Sequence, residues 1–284
     1  MASVTVEHER IELAPPHGDV VRADLRWRAG DEPRTAVLVA HGFKGFKDWG
    51  FFPHLGDSLA RDGHAVVSFN FSLNGTGPEL MHFTDLDAFG RNTLSRELED
   101  LHWMIDWTLA GRWRSGRPVD SLGLLGHSRG GGVAIVAAAE RPELSALATW
   151  SAVSSFHRWS EHQVREWEIQ GVTWIENART KQRMPLYRAL WDDLRENWRR
   201  LDVLAAAARV RSPWLVVHGE EDLTVPVKDG ERLAEASPAA RLRVIGGSGH
   251  TFEATHPFSS STPGLDNAVD ATREHFRVNL ESDG

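Results

Sequence analysis

LLGHSRGGGVAI, residues 124–135, places one serine and four glycines where an aliphatic run gives way to an alanine- and valine-rich one. Two readings of Ser128 compete. A serine ahead of a helix often caps it, its side-chain oxygen accepting from a backbone N–H of the first turn. Alternatively, Gly126-His127-Ser128-Arg129-Gly130 is a G-x-S-x-G elbow, in which the chain turns sharply from strand to helix and lifts a nucleophilic hydroxyl clear of the sheet. The second reading accounts for the glycines, because side chains flanking such a turn would collide with the adjoining strand and helix.

The rest of the chain supplies the context an elbow needs. VEHERIEL and VVRADLRW alternate in polarity on either side of His17-Gly18-Asp19 and read as an antiparallel pair over 4–13 and 20–28. The runs at 36–40, 64–71, 121–126, 144–150, 213–219 and 241–247 are continuous and apolar, like strands covered on both faces. Between them lie helical patterns at 51–63, 92–111, 131–142, 229–237 and 266–280; in the second, Leu94, Leu98, Leu101, Ile105 and Leu109 fall on one face. Strands alternating with helices predict an α/β fold with a mostly parallel central sheet and helices on both sides. Residues 152–200 break the rhythm, helical in pattern with no β run. That length is too great for an ordinary connection, and the reading is a helical cap inserted into a single domain spanning 1–284.

A serine hydroxyl is inert near neutral pH unless a base takes its proton. In strand–elbow–helix folds the partners follow in the order acid, then histidine. PWLVVHGEEDLTVP (213–226) ends a strand and turns at Asp222, with Glu220, Glu221 and Asp229 as rival carboxylates. RLRVIGGSGHTF (241–252) ends a strand in a glycine-rich turn that carries His250. The expected catalytic set is therefore Ser128, Asp222 and His250, each at the carboxyl end of a strand, where open α/β sheets bind ligands. Two backbone N–H groups must also meet the developing oxyanion. Arg129, first in the helix after the elbow, offers one, and Phe43 in AHGFKGFKDWG (40–50) offers the other.

Taken together, HGF, GHSRGG, HGEEDLTVP and GSGHTF resemble, in order, the motifs of the α/β-hydrolases, over nearly the whole chain. The HGFKGFKDWGFFP loop and the inserted cap also resemble the bacterial feruloyl (cinnamoyl) esterases and related carboxylesterases. The resemblance implies a serine esterase that works through an acyl-serine intermediate on small esters with short or aromatic acyl groups. An acyl thioesterase or acyltransferase would use the same site, and a ligand receptor on the same fold is the reading from another class. Cysteine-nucleophile relatives of the fold are excluded, since the chain has no cysteine.

Composition bounds what remains. The net charge of −8 speaks weakly against nucleic acid as a partner. The absence of cysteine rules out disulfides and thiolate metal sites and fits a cytoplasmic protein. MASVTVEHERIELAP lacks the continuous apolar core of a signal peptide, and no run is long enough to span a bilayer. Neither a metal nor a cofactor is expected: H-E-x-x-H and the phosphate-loop pattern are missing. The expected partner is a small-molecule ester, and the oligomeric state is not legible.

His41, His127 and His218 stand at strand ends near the site and read as structural. Lys44 and Lys47 read as solvated loop residues, with an acidic substrate as the alternative. Twelve tryptophans against one tyrosine is unusual, and six of the tryptophans fall between 150 and 200. Most should pack the cap; Trp159, Trp167 and Trp174 are the candidates to face the cleft and contact substrate.

Overall fold

The computed structural model describes residues 4–78, 82–113, 116–177 and 180–280. Strands β1 (Val6–Leu13) and β2 (Val21–Arg28) form the expected antiparallel pair. β3 (Thr35–Ala40) is linked through α1 (Phe52–Arg61) to β4 (Ala65–Asn70). Next come α2 (Leu86–Arg91) and α3 (Leu94–Leu109), then β5 (Ser121–His127), α4 (Arg129–Glu140) and β6 (Ala146–Trp150). The chain then leaves the sheet for α5 (Glu161–Gln170), β7 (Val172–Glu176), β8 (Arg183–Tyr187) and α6 (Arg188–Glu196). It returns through α7 (Val203–Ala207) to β9 (Trp214–Gly219), α8 (Val227–Ala236), β10 (Ala240–Ile245) and α9 (Pro263–Leu280).

Among the described residues the main sheet has eight strands, in the order β1-β2-β4-β3-β5-β6-β9-β10. β2 meets β4 antiparallel, and the pairs from β4 to β10 are parallel. The continuous apolar runs have the expected cause: both faces of the central strands are covered. In β3, Ala36, Leu38 and Ala40 face one core with α3 and α4, while Val37 and Val39 face a second core with α1 and α9. Strand alternation thus divides one apolar stretch between two layers. The mostly parallel sheet with helices on both faces is what the sequence pattern predicts, and its architecture is the α/β-hydrolase one that the motif resemblance implies.

Two expectations need correction. β10 is an edge strand, not one covered on both faces: Leu242 and Val244 are exposed, and Arg241 and Arg243 lie beside them. Charged edge residues deter pairing with a foreign strand. The region 152–200 does contain helices, but also a β-hairpin, in which β7 pairs antiparallel with β8 in a sheet of its own. The signal was present in the chain. Gly171, in the left-handed region at φ 75°, ends α5, and a β-branched stretch starting at Val172 follows it. The helical pattern read across the whole segment masked that signal. The short helices α2 and α7 were not read from the sequence.

Candidate active site

The carboxyl ends of β3, β5, β9 and β10 converge on one rim of the sheet. Ser128 follows β5 in a conformation rare for a residue with a side chain, φ 56° and ψ −121°. It caps nothing: no hydrogen bond joins its side chain to the helix it precedes. The strained backbone is held by the main chain, with Ser128 N–H donating to Trp150 O at 2.9 Å and Val153 N–H donating to Ser128 O at 3.3 Å. The flanking glycines are required by contact. A Cβ on Gly126 would lie 2.5 Å from the Gly130 oxygen, and one on Gly130 would lie 2.1 Å from the His41 oxygen.

The Ser128 hydroxyl instead donates to His250 Nε2 at 3.1 Å, and His250 Nδ1 donates to Asp222 Oδ2 at 2.7 Å. The other carboxylate oxygen of Asp222 accepts from the N–H groups of Thr224 and Val225, each at 2.8 Å. Burial pushes this carboxyl up, but the His250 hydrogen bond and charge, with the two backbone donors, outweigh it and hold Asp222 below its ordinary value. An ionised Asp222 therefore fixes the tautomer that leaves Nε2 free to take a proton. The rival acids lie elsewhere: Glu220 and Glu221 are exposed, and Asp229 accepts from the backbone and hydroxyl of Ser154.

Three neighbouring histidines brace this arrangement. Phe71 N–H donates to His41 Nε2, so His41 Nδ1 donates to Gly42 O at 2.8 Å and fixes the loop after β3. His127 Nε2 donates to the main-chain oxygen of His250 at 3.1 Å, and His218 Nε2 donates to Val225 O at 2.8 Å. Burial draws the pKa of His41 down to about 4; burial and the adjacent His250 draw that of His127 to about 3. All three serve as neutral structural hydrogen-bond donors, as the sequence suggested.

A cavity of about 530 Å³ opens over Ser128 and His250, a volume typical of small-ligand sites. Phe43 and Arg129, the expected oxyanion donors, both line it beside Ser128. Arg129 is the first residue of α4, so its N–H has no partner within the helix. Its side chain pairs with buried Glu97 and lies 4.1 Å from the centroid of the Phe43 ring, which ties Arg129 to the loop after β3. Burial raises the Glu97 carboxyl and lowers the Arg129 guanidinium from their ordinary values. Sequence reasoning missed Glu97 because nothing in its helix marks it as facing the elbow.

Of the three tryptophans expected in the cleft, only Trp159 lines the cavity, standing edge-on to Phe43. Trp167 is fully buried within the cap, stacked on Trp191, with its Nε1 donating to Leu186 O at 2.8 Å. Trp174 points outward on β7, 40% exposed, under the guanidinium of Arg183. The β7–β8 hairpin places Trp174 on the outer face. Phe156 and Leu190 also line the cavity, walls no sequence motif announced. Lys47 is buried in a network with Asp24 and Asp48, whereas Lys44 lines the cavity. Among the described residues no group of three or more potential metal ligands occurs, and no helix is long and apolar enough to cross a membrane.

Comparison with known proteins agrees with this architecture. RutD of Pseudomonas savastanoi pv. phaseolicola is 27% identical over 173 residues, covering 49% of this chain and 66% of RutD, just under two thirds of its length. A monoacylglycerol lipase of Mycolicibacterium smegmatis is 26% identical over 251 residues, covering 79% of this chain and 84% of the lipase. Est1E from Butyrivibrio proteoclasticus, also solved with ferulic acid bound, superposes with a TM-score of 0.69 at 18% identity, over 95% of this chain and 98% of Est1E. That likeness is one of fold. A profile of the alpha/beta hydrolase family matches residues 36–260, well over half of the chain, and the protein belongs to that family.

Proposed function

We propose that the protein is a serine carboxylic ester hydrolase with Ser128, His250 and Asp222 as its catalytic triad. The observation that carries this reading is the continuous relay from Asp222 Oδ2 through His250 to the Ser128 hydroxyl at the floor of an apolar cavity. In the first half-reaction Ser128 Oγ attacks the ester carbonyl while His250 Nε2 takes its proton. The oxyanion is met by the N–H groups of Phe43 and Arg129. His250 then protonates the departing alcohol, leaving an acyl-serine. Water, deprotonated by the same histidine, attacks the acyl group, and the proton passes back to Ser128 as the acid leaves.

The walls support a choice of substrate class. Phe43, Phe156 and Trp159 favour a short or aromatic acyl or alcohol group, and feruloyl-type esters fit that description. Est1E, a fold neighbour solved with ferulic acid, adds to that choice. In this reading residues 1–284 form one domain and the insertion at about 152–200 is its cap.

The test is turnover of 4-nitrophenyl acetate, butyrate and octanoate, methyl ferulate and an acyl-CoA, with Ser128→Ala as the blank. Serine-dependent cleavage of oxygen esters, with fluorophosphonate labelling lost in Ser128→Ala, is the expected result. Preference for the acyl-CoA would make it a thioesterase. Neither turnover nor labelling would move the reading to a ligand receptor.

A further inference from the structure

Three cations line the cavity, Lys44, Arg129 and Arg158, and no aspartate or glutamate is among its described lining residues. Two of the three are already neutralised. Arg129 pairs with Glu97, and Arg158 reaches Asp229 and donates to Thr224 O at 2.8 Å. Lys44 differs. Among the described residues its ammonium donates one hydrogen bond, to the main-chain oxygen of Glu176 at the end of β7, 3.3 Å away, and lies 5.9 Å from the centroid of the Phe43 ring, with no carboxylate beside it. An ammonium carries three donors, so two remain for whatever enters. The Glu176 carboxylate itself pairs with Lys181 on the outside of the hairpin.

Lys44 is half-buried in the cavity lining. Its backbone is left-handed, with φ 56°, in a loop whose geometry also fixes Phe43. Burial draws its pKa below the ordinary lysine value, and no neighbouring carboxylate offsets that. A lysine with no task there would extend its flexible stem into water. Phe43, Phe156 and Trp159 line the same cavity.

We infer that the cavity takes esters bearing a free carboxylate on the acyl or alcohol part, and that Lys44 is the specificity-determining residue that binds it. The inference rests on the ester-hydrolase reading above. The chemistry is that reading's hydrolysis unchanged: the ester C–O bond breaks, water is consumed, and a carboxylic acid and an alcohol leave. The second carboxylate is bound and unaltered, so its contribution falls on KM more than on kcat.

Two matched pairs test this. 4-Nitrophenyl hydrogen suberate against 4-nitrophenyl octanoate puts the charge on the acyl part; 3-carboxyphenyl butyrate against 3-carbamoylphenyl butyrate puts it on the alcohol. In at least one pair the wild-type protein should favour the anionic ester by about tenfold or more in kcat/KM, the effect of one charge-assisted hydrogen bond. Lys44→Met and Lys44→Gln should each bring that ratio close to one, chiefly by raising KM for the anionic ester. Lys228→Met, which removes an equal charge from exposed α8, should leave the ratio alone. Turnover of the neutral esters with no anionic advantage overturns the inference, and so does an equal loss on both members in Lys44→Met, which would make the lysine a tether for the hairpin. Absence of turnover together with absence of Ser128 labelling overturns the ester-hydrolase reading itself, and this one with it.

Discussion

The rim of the sheet and the insertion above it are fixed in different ways. At the rim, four polar side chains are oriented by main-chain atoms: His41 by Gly42 and Phe71, His127 by His250, His218 by Val225, Asp222 by Thr224 and Val225. In the insertion, large aromatic surfaces set the arrangement, with Trp159 edge-on to Trp167 and Trp167 stacked on Trp191. Directional hydrogen bonds suit groups that must sit within tenths of an ångström, as proton transfer requires. Apolar packing suits a wall whose shape matters more than any single atom. In the proposed reading the rim carries the chemistry, and the insertion together with the loop after β3 shapes the walls that select the substrate.

The largest expected effect lies at the rim. Asp222→Asn should keep the fold yet lower kcat by about 10⁴, because an amide stabilises the wrong histidine tautomer. If that variant stays active while Glu221→Gln does not, a neighbour supplies the acid and the division drawn here is misplaced. In the insertion, Trp167→Ala should cost about 3–5 kcal/mol of stability, read as a lowered denaturant midpoint, since it empties a packed site and strands the Leu186 oxygen.

A smaller effect separates the regions by pH. His41 and His127 are neutral in the folded protein and protonated in the unfolded chain once the pH falls below about 6.5. Their depressed values mean that stability is complete above that pH and declines as the pH falls towards 4. Each histidine contributes a slope of about 1.4 kcal/mol per pH unit across that window. Unfolding measured at several pH values in His127→Gln should have a shallower slope than in the wild type. The smallest effect is expected on the outer face of the hairpin. Trp174→Ala should change stability by less than about 1 kcal/mol and leave kcat/KM for neutral esters unaltered. A large loss of activity would bring β7 into the site.

The same contrast governs what could be read in advance. Ser128, Asp222 and His250 were legible because elbow geometry demands glycine at 126 and 130, and because strand ends are marked by apolar runs meeting turns. The central strands were legible for the same reason, but not their order in the sheet. The insertion was not: Val172–Glu176 and Arg183–Tyr187 are five-residue strands amid helical segments, and Pro185 obscures the second. Trp167 and Trp174 share a residue type and a region but lie on opposite sides of a packed layer. No periodicity in the sequence separates a wall of the cavity from the packing behind it.

The backbone at position 128 is held by hydrogen bonds to Trp150, Gly132 and Val153, none of which involves the serine side chain. The turn is therefore a socket whose shape is independent of what is plugged into it. A thiol or a carboxylate at 128 would inherit the same aim at the cavity and the same facing histidine. The scaffold thus fixes where a side chain at 128 starts and leaves its reach to the side chain itself.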